Sequence, residues 1–287
     1  MLNFNNYKLV KGVFILLVLA AVSGCAKKDY RPGYAVGTTF PIINLKGYTL
    51  ERMQVRVGPR SVVAGYVTEE ISGVSYEVPF NPSQDLNRVV FYKEDGSVPY
   101  AGSQIRFNTP NRDTTVKIFY DGKTFFQNPV FPAPTAGSMG LRITFKSTAS
   151  TYKGPVDIEL HERYSTTVKV TRVDPKTGKP ITVNVDTVLI KPEPAGIIHG
   201  VKQTEFNTYT ELNPPASPTF VDYAVYIHVA NTGNPLPYPT GVVVTPYDLL
   251  PFQPDYFALY TITDIRVTAE KPNVITYKVD DRASLFQ

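Results

Sequence analysis

Val156-Asp157-Ile158-Glu159-Leu160-His161-Glu162 alternates apolar and ionisable side chains without a break. Successive side chains of an extended strand point to opposite faces. Val156, Ile158 and Leu160 therefore share one face, and Asp157, Glu159 and His161 share the other. Wound into a helix, the same residues would form no apolar stripe. The period returns elsewhere. Ile181, Val183 and Val185 alternate with Thr182, Asn184 and Asp186, and Tyr223, Val225, Ile227 and Val229 alternate with Ala224, Tyr226 and His228. Runs of this kind, rich in Val, Ile, Thr and Tyr, predict strands with one buried face.

The punctuation agrees. The 25 prolines leave intervals of roughly 20 residues at most in the main part of the chain, and Gly or clustered Thr interrupt most of these, so helices have little room. Asp121-Gly122 between VKIFY and KTFF predicts a two-residue hairpin, and Asp95-Gly96 follows RVVFYKE in the same way. Asp174-Pro175-Lys176-Thr177-Gly178-Lys179 predicts a longer hairpin loop. The expected fold is all-β, with about fifteen short strands in two tandem antiparallel β-sandwich domains, Ig-like or related. The Pro/Gly-rich stretch Asn128 to Gly140 marks the expected break, giving units at 38–133 and 140–287. Lys191 to Gly196 is a second loop of this type, and a single elongated sandwich with a long insertion fits the same pattern. Residues 208–219 and 231–255 read as ordered, Pro- and Tyr-rich surface loops.

Composition narrows the function classes. With 287 residues, 43% apolar and 19% charged, the chain is globular rather than disordered. A net charge of +4 on 29 basic and 25 acidic residues gives no reason to expect nucleic acid. One Cys excludes an internal disulfide and a Cys-based zinc site.

That Cys closes the strongest local signal. Lys8 and Lys11 are the only charges ahead of an apolar run from Val13 to Val22, too short to span a bilayer as a helix. Val22-Ser23-Gly24-Cys25 follows. A basic flank, a short apolar run and small residues describe a secretory leader, and the four residues resemble the bacterial lipobox. The resemblance implies cleavage ahead of Cys25, removing residues 1–24, and a diacylglycerol on the Cys25 thiol. Added acyl chains such as palmitate would then hold the protein on a membrane. Loss of Lys8 and Lys11 takes the net charge to about +2. Ala26, rather than Asp, follows the Cys, which favours the outer membrane, with its periplasmic and cell-surface faces both open. Residues 25–37 read as a lipidated tether.

Motifs for catalysis and cofactors do not occur: no phosphate-binding loop, no dinucleotide turn and no nucleophile elbow. No cofactor or metal is expected. Asp157, Glu159 and His161 share a strand face at steps of about 7 Å, which reads as a solvated polar face. Asp280-Asp281 reads as a solvated turn. The aromatic supply is richer, with 19 Tyr and no Trp. Tyr238, Tyr247, Phe252, Tyr256 and Tyr260 lie among Pro235, Pro237, Pro239, Pro246, Pro251 and Pro254. Prolines stiffen such a segment and lower the entropic cost of presenting rings, which makes Tyr238, Tyr247, Phe252 and Tyr256 candidates for ligand or partner binding. In layout (lipobox, short tether, tandem β domains) the chain resembles the accessory lipoproteins of Sus-type glycan-uptake systems. The expected function is a membrane-anchored, non-catalytic binding or scaffold module whose partner is a polysaccharide or another envelope protein. A structural adhesin or fimbria-associated subunit is the alternative, and a glycosidase or peptidase ranks below both.

Overall fold

A computed structural model describes residues 35, 37–58, 62–82, 87–107, 113–245, 249–268 and 271–286. The leader, Cys25 and Tyr247 lie outside the described residues. The fold is all-β. Strands β1 (Ile42–Val57), β2 (Val62–Glu77), β3 (Arg88–Lys93), β4 (Ile105–Arg106), β5 (Thr114–Tyr120) and β6 (Phe125–Gln127) form one sheet in the order β4-β3-β1-β5-β6, with β2 on the other edge of β1. The remaining strands form two sheets. One contains β8 (Val156–Val173), β9 (Pro180–Ile190), β10 (Gly196–Val201), β12 (Phe220–Val229) and β14 (Leu249–Leu250). The other contains β7 (Met139–Lys146), β11 (Thr210–Leu212), β13 (Val243–Val244), β15 (Phe257–Thr268) and β16 (Lys271–Asp281). A one-turn 3-10 helix, Ala283–Phe286, ends the described chain. Among the described residues no strand pairing joins β1–β6 to β7–β16.

The sheet containing β8 is antiparallel throughout, whereas the other two are mixed: β1 with β5, β7 with β15, and β13 with β16 run parallel. Parallel pairing joins strands that are distant in sequence, and no hairpin signal announces it. The hairpins are where the turns predicted them. However, Asp121-Gly122 opens a four-residue connection, because the Asp121 carboxylate caps Lys123 N–H and Thr124 N–H before β6 begins at Phe125.

Alternation explains three separate cores. Ile43, Leu45, Met53 and Val55 of β1 meet Val89, Phe91, Val116, Ile118 and Phe125 in the first. Met139, Leu141, Ile143 and Phe145 of β7 and Tyr260 and Ile262 of β15 face Val156, Ile158, Leu160, Tyr223, Val225 and Ile227 in the second, a sandwich-like pairing of the two later sheets. The opposite faces of β1, β5 and β15 build the third. Tyr48, Phe119 and Leu259 meet Phe206, with Phe126, Phe131, Phe257 and Phe286 packed around them. Phe119 has its ring centroid 5.4–5.8 Å from those of Phe126, Phe131, Phe206 and Phe286. This third core joins the first six strands to the rest.

Polar ties surround it. Arg142 and Asp121 pair at 2.8 Å, both largely buried, while Arg282 pairs with Glu70 at 2.8 Å and Lys117 Nζ donates to the Phe286 carbonyl at 2.6 Å. Gly122, at φ +96°, passes so close to the 202–206 loop that a Cβ there would sit 2.0 Å from the Thr204 carbonyl oxygen. Only glycine fits that approach.

The described residues of segment 231–255 are mostly exposed, as a surface loop should be, but apolar side chains pin the segment down. Leu236 and Leu250 are buried in the second core, and Tyr238 and Phe252 pack against it. The Asp157–His161 face is covered too. Asp157 accepts from Gly200 N–H and Asn231 N–H at 2.9 Å, and His161 donates through Nδ1 to the Lys191 carbonyl at 2.9 Å. The alternation put these groups on the correct face, but the loops that fold over them come from elsewhere in the chain. Beyond Ser165 the β8–β9 hairpin leaves the body as a two-stranded arm. One face of the hairpin carries Tyr164, Val168, Val170, Ile181, Val183, Val185 and Leu189, and the other carries the Thr167–Asp186 and Thr171–Thr182 hydrogen bonds.

Buried carboxylates fasten the corners. Burial raises the Glu162 pKa, but Lys191, together with Ala216 N–H and Ser217 N–H, outweighs it, and the net shift is downward. Asp157 shifts down in the same way, its burial outweighed by Asn231 N–H, Gly200 N–H and His199. A depressed folded-state pKa contributes stability above the unfolded value near 4, and that contribution is lost as pH falls through the folded one. The denaturant midpoint is therefore expected to hold from about pH 7 to 5 and to fall below about pH 4. Glu162→Gln is expected to cost about 1–3 kcal/mol at neutral pH and less at pH 3, as read by urea unfolding at both. Phe119→Ala, which empties the centre of the third core, is expected to cost about 3–5 kcal/mol in the same assay.

Candidate functional site

On the outer face of the first sheet, β1 carries Arg52, Gln54 and Arg56 while Met53 and Val55 point into the core. Register sets their neighbours. Gln54 stands opposite Tyr66 of β2 and Tyr92 of β3, so three strands place Tyr66, Gln54 and Tyr92 in a single row. Gln54 is buried between the tyrosines; its Nε2 donates to Tyr66 Oη at 3.2 Å and its Oε1 accepts from Arg56 Nε at 2.6 Å. Each guanidinium lies over a ring, with Arg52 Cζ 4.6 Å from the Tyr66 centroid and Arg56 Cζ 4.0 Å from that of Tyr92. Cation–π attraction and the Gln54 hydrogen bonds hold all five planar groups in place.

Backbone irregularities shape this face, among them a β1–β2 register shift at Val55/Arg56. Leu50, Glu51 and Arg52 fall between the paired positions Thr49–Glu69 and Met53–Val67, so β1 bulges there against β2. A bulge bends its strand and re-aims the local side chains. It brings Glu51 within 2.7 Å of Tyr100 Oη and Arg52 within 2.8 Å of Glu94. Another irregularity is the turn after β3. Gly96, at φ +72°, donates its N–H to the Lys93 carbonyl and accepts from Arg56 Nη2 at 2.9 Å. A Cβ at Gly96 would stand 2.3 Å from that nitrogen, so the glycine makes room for Arg56.

The bulge and the turn flank an open cleft of about 610 Å³, lined by Glu51, Arg52, Lys93, Glu94, Asp95 and Tyr100. Its size suits a small ligand or a few units of a polymer. Tyr100 packs on Tyr120 with ring centroids 4.8 Å apart. Burial, followed by the hydrogen bond to Glu51, pushes its phenol well above the usual range, so Tyr100 stays a neutral donor. The Ser97 hydroxyl and then its N–H hold the Asp95 carboxyl below the usual range. The cleft thus presents three carboxylates, two cations and a fixed phenol rim. Together with the row beside it, it offers flat apolar rings bordered by planar hydrogen-bonding groups, which is suited to holding a polar ligand with apolar faces.

Of the aromatic residues singled out in the sequence, the described ones pack against the cores. Tyr238 donates to the fully buried Asp264 at 3.2 Å, and burial, then Tyr277, keep its phenol protonated. Phe252 packs on Phe220 and Tyr223, with ring centroids 6.3 and 6.4 Å away. Tyr256 is half-buried between the second and third cores and donates to Asp281 at 2.8 Å, and Tyr260 is buried. Asp281 also accepts from Leu259 N–H and Ala283 N–H, so Asp280-Asp281 is a capping corner more than a solvated turn.

The three histidines meet on one face of the β8 sheet. His161 Nε2 and His228 Nδ1 lie 3.3 Å from the two oxygens of Glu159, and His199 Nδ1 lies 3.3 Å from Asp157. Hydrogen bonds to the Lys191 carbonyl and Glu159 tie His161 to the fold, and among the described residues no group of three or more His, Cys, Asp or Glu is placed to hold a metal ion.

The sequence carried one signal for the row, the alternation Arg52-Met53-Gln54-Val55-Arg56. Its partners, Tyr66 and Tyr92, were hidden in register. No protein-family model matches the chain, and no curated protein matches it at a significant level.

Proposed function

We propose that the chain is a membrane-anchored cell-envelope lipoprotein acting as a non-catalytic binding module, with glycan as the ligand. The Tyr66–Gln54–Tyr92 row carries this reading. Sugar rings present flat C–H faces that stack on aromatic rings, and their hydroxyls need the planar donors and acceptors that Gln54, Arg52 and Arg56 supply. The row is also preorganised by its own contacts, which lowers the ordering cost of binding. The cleft beside it extends the surface from a single ring to a length of chain. Anchorage rests on the lipobox Val22-Ser23-Gly24-Cys25. A leader at 1–24 and a tether at 25–37 would hold the β domains at the outer membrane, and a tethered binder gains effective concentration against a polymer.

A second reading, a structural subunit of an envelope assembly, draws support from the β8–β9 arm. Val170, Val185 and Leu189 are each about 40% exposed on that hairpin, and β9 pairs only with β8 among the described residues. An open edge with an uncovered apolar face is a docking surface for another protein.

Affinity electrophoresis through gels containing soluble polysaccharides separates the two. The protein from residue 26 onward is expected to be retarded by at least one polysaccharide, and Tyr66→Ala or Tyr92→Ala to lose most of that retardation. A version with the arm shortened to an Asn-Gly hairpin should be retarded as the parent is. Absence of retardation in every gel overturns the glycan reading, and loss of retardation on shortening the arm moves the function to the arm. For the anchor, Cys25→Ser is expected to abolish palmitate labelling of the full chain in the producing bacterium; persistent labelling overturns it.

A further inference from the structure

We infer that Arg56 makes the outer face of the first sheet selective for an anionic glycan, one bearing carboxylates such as uronic acids. This rests on the glycan reading above and assigns the ligand's charge. The two guanidiniums of the row are not equivalent. Arg52 is paired with Glu94 at 2.8 Å, a half-exposed ion pair that offsets part of its charge. Among the described residues the contacts of Arg56 are all neutral: the Gln54 amide oxygen, the Gly96 carbonyl and the Tyr92 ring.

A guanidinium has five N–H donors in a rigid fork. Nε and one N–H of Nη2 are used in the bonds to Gln54 and Gly96, which leaves three donors and a full positive charge. Those same bonds, with the ring beneath, fix the plane of the group. A carboxylate can then be taken bidentately with little further loss of side-chain freedom.

The opposite end of the site argues for one anion position rather than several. Arg52 and Arg56 are four residues apart on one strand, about 13 Å. Around Arg52 the cleft carries Glu51, Glu94 and Asp95 against Arg52 and Lys93, an excess of one negative charge. An anionic sugar is repelled at that end and attracted at the Arg56 end, so the face orients an acidic chain as well as binding it. The neutral portion of the ligand lies towards Tyr66 and Tyr100.

The test compares polymers that differ only in charge. Polygalacturonate, alginate and hyaluronate are each offered beside their own carboxyl-reduced forms to the protein from residue 26 onward, with dissociation constants read by calorimetry or gel retardation at fixed salt. The expected result is that at least one acidic polymer binds tenfold or more tightly than its reduced form. Arg56→Gln should erase that preference, leaving acidic and reduced forms bound alike. Arg56→Lys, which keeps the charge and loses the fork, should retain part of it. Thermal unfolding of both variants near that of the parent shows that the fold is intact, and Arg56→Lys keeps the comparison interpretable if Arg56→Gln unfolds. Equal binding of acidic and reduced forms by the parent, or a preference unchanged in both variants, overturns the inference. If only neutral polysaccharides are bound, the anion assignment fails and the glycan reading stands. If no polysaccharide of either kind is bound, both fail.

Discussion

Phe119 is the contact on which the architecture turns. Strand β5 buries Val116, Ile118 and Tyr120 on one face and Phe119 on the other, so a seven-residue strand belongs to two cores at once. A strand with one wet face can slide or tilt at small cost. A strand such as β5, which buries side chains on both faces at its Phe119 end, cannot, because a one-residue slip would exchange both sets. The four phenyl rings around Phe119 come from β6, from the connections at 131 and 206, and from the final turn at 286. Segments far apart in sequence are thereby held against a single ring. Asp121–Arg142 and Gly122 extend the contact to its rim, where the backbones come close enough to exclude any side chain at position 122.

Fixing β5 also fixes β1, and with it the candidate site. The first half of β1 is paired to β5 and the second half to β3, so the bulge at 50–52 lies where β1 changes neighbours. It turns Arg52 to Glu94 and Glu51 to Tyr100, and beyond it Gln54 and Arg56 continue along the outer face. The row of rings and guanidiniums is a consequence of the same bend that lets one strand serve two edges. Its rigidity has the same origin. Every planar group in it touches another planar group or a backbone carbonyl, so few rotamers are left to lose on binding.

The tyrosines show how ring position decides use. Tyr238, Tyr256 and Tyr260 look in sequence like a surface supply, set among prolines. In the fold their rings fill the margins of the second and third cores, with Tyr238 and Tyr256 donating to Asp264 and Asp281. Tyr66 and Tyr92 carry no such local mark, yet they stand exposed or half-exposed on a flat sheet. A tyrosine has an apolar body and a polar tip, and either a core margin or an open face satisfies both.

Alternation of side chains determined the all-β class from sequence, because a period of two has only one geometry that buries it. It also placed Val156, Ile158 and Leu160 in a core and Asp157, Glu159 and His161 on the reverse side, and the turn residues located the hairpins. Those are local properties, set by each residue's own backbone and its immediate neighbours. The parallel pairings, the burial of β5 on both faces and the row across β2, β1 and β3 were decided only by the tertiary structure. Each depends on register between separate strands, as far apart as Gly140 and Phe257, which no single stretch encodes. Alternation states which face a side chain takes. What lies opposite that face is settled by the packing of the whole chain, and so Gln54 and Arg56 acquire their neighbours, and their proposed role, only once Phe119 has been buried.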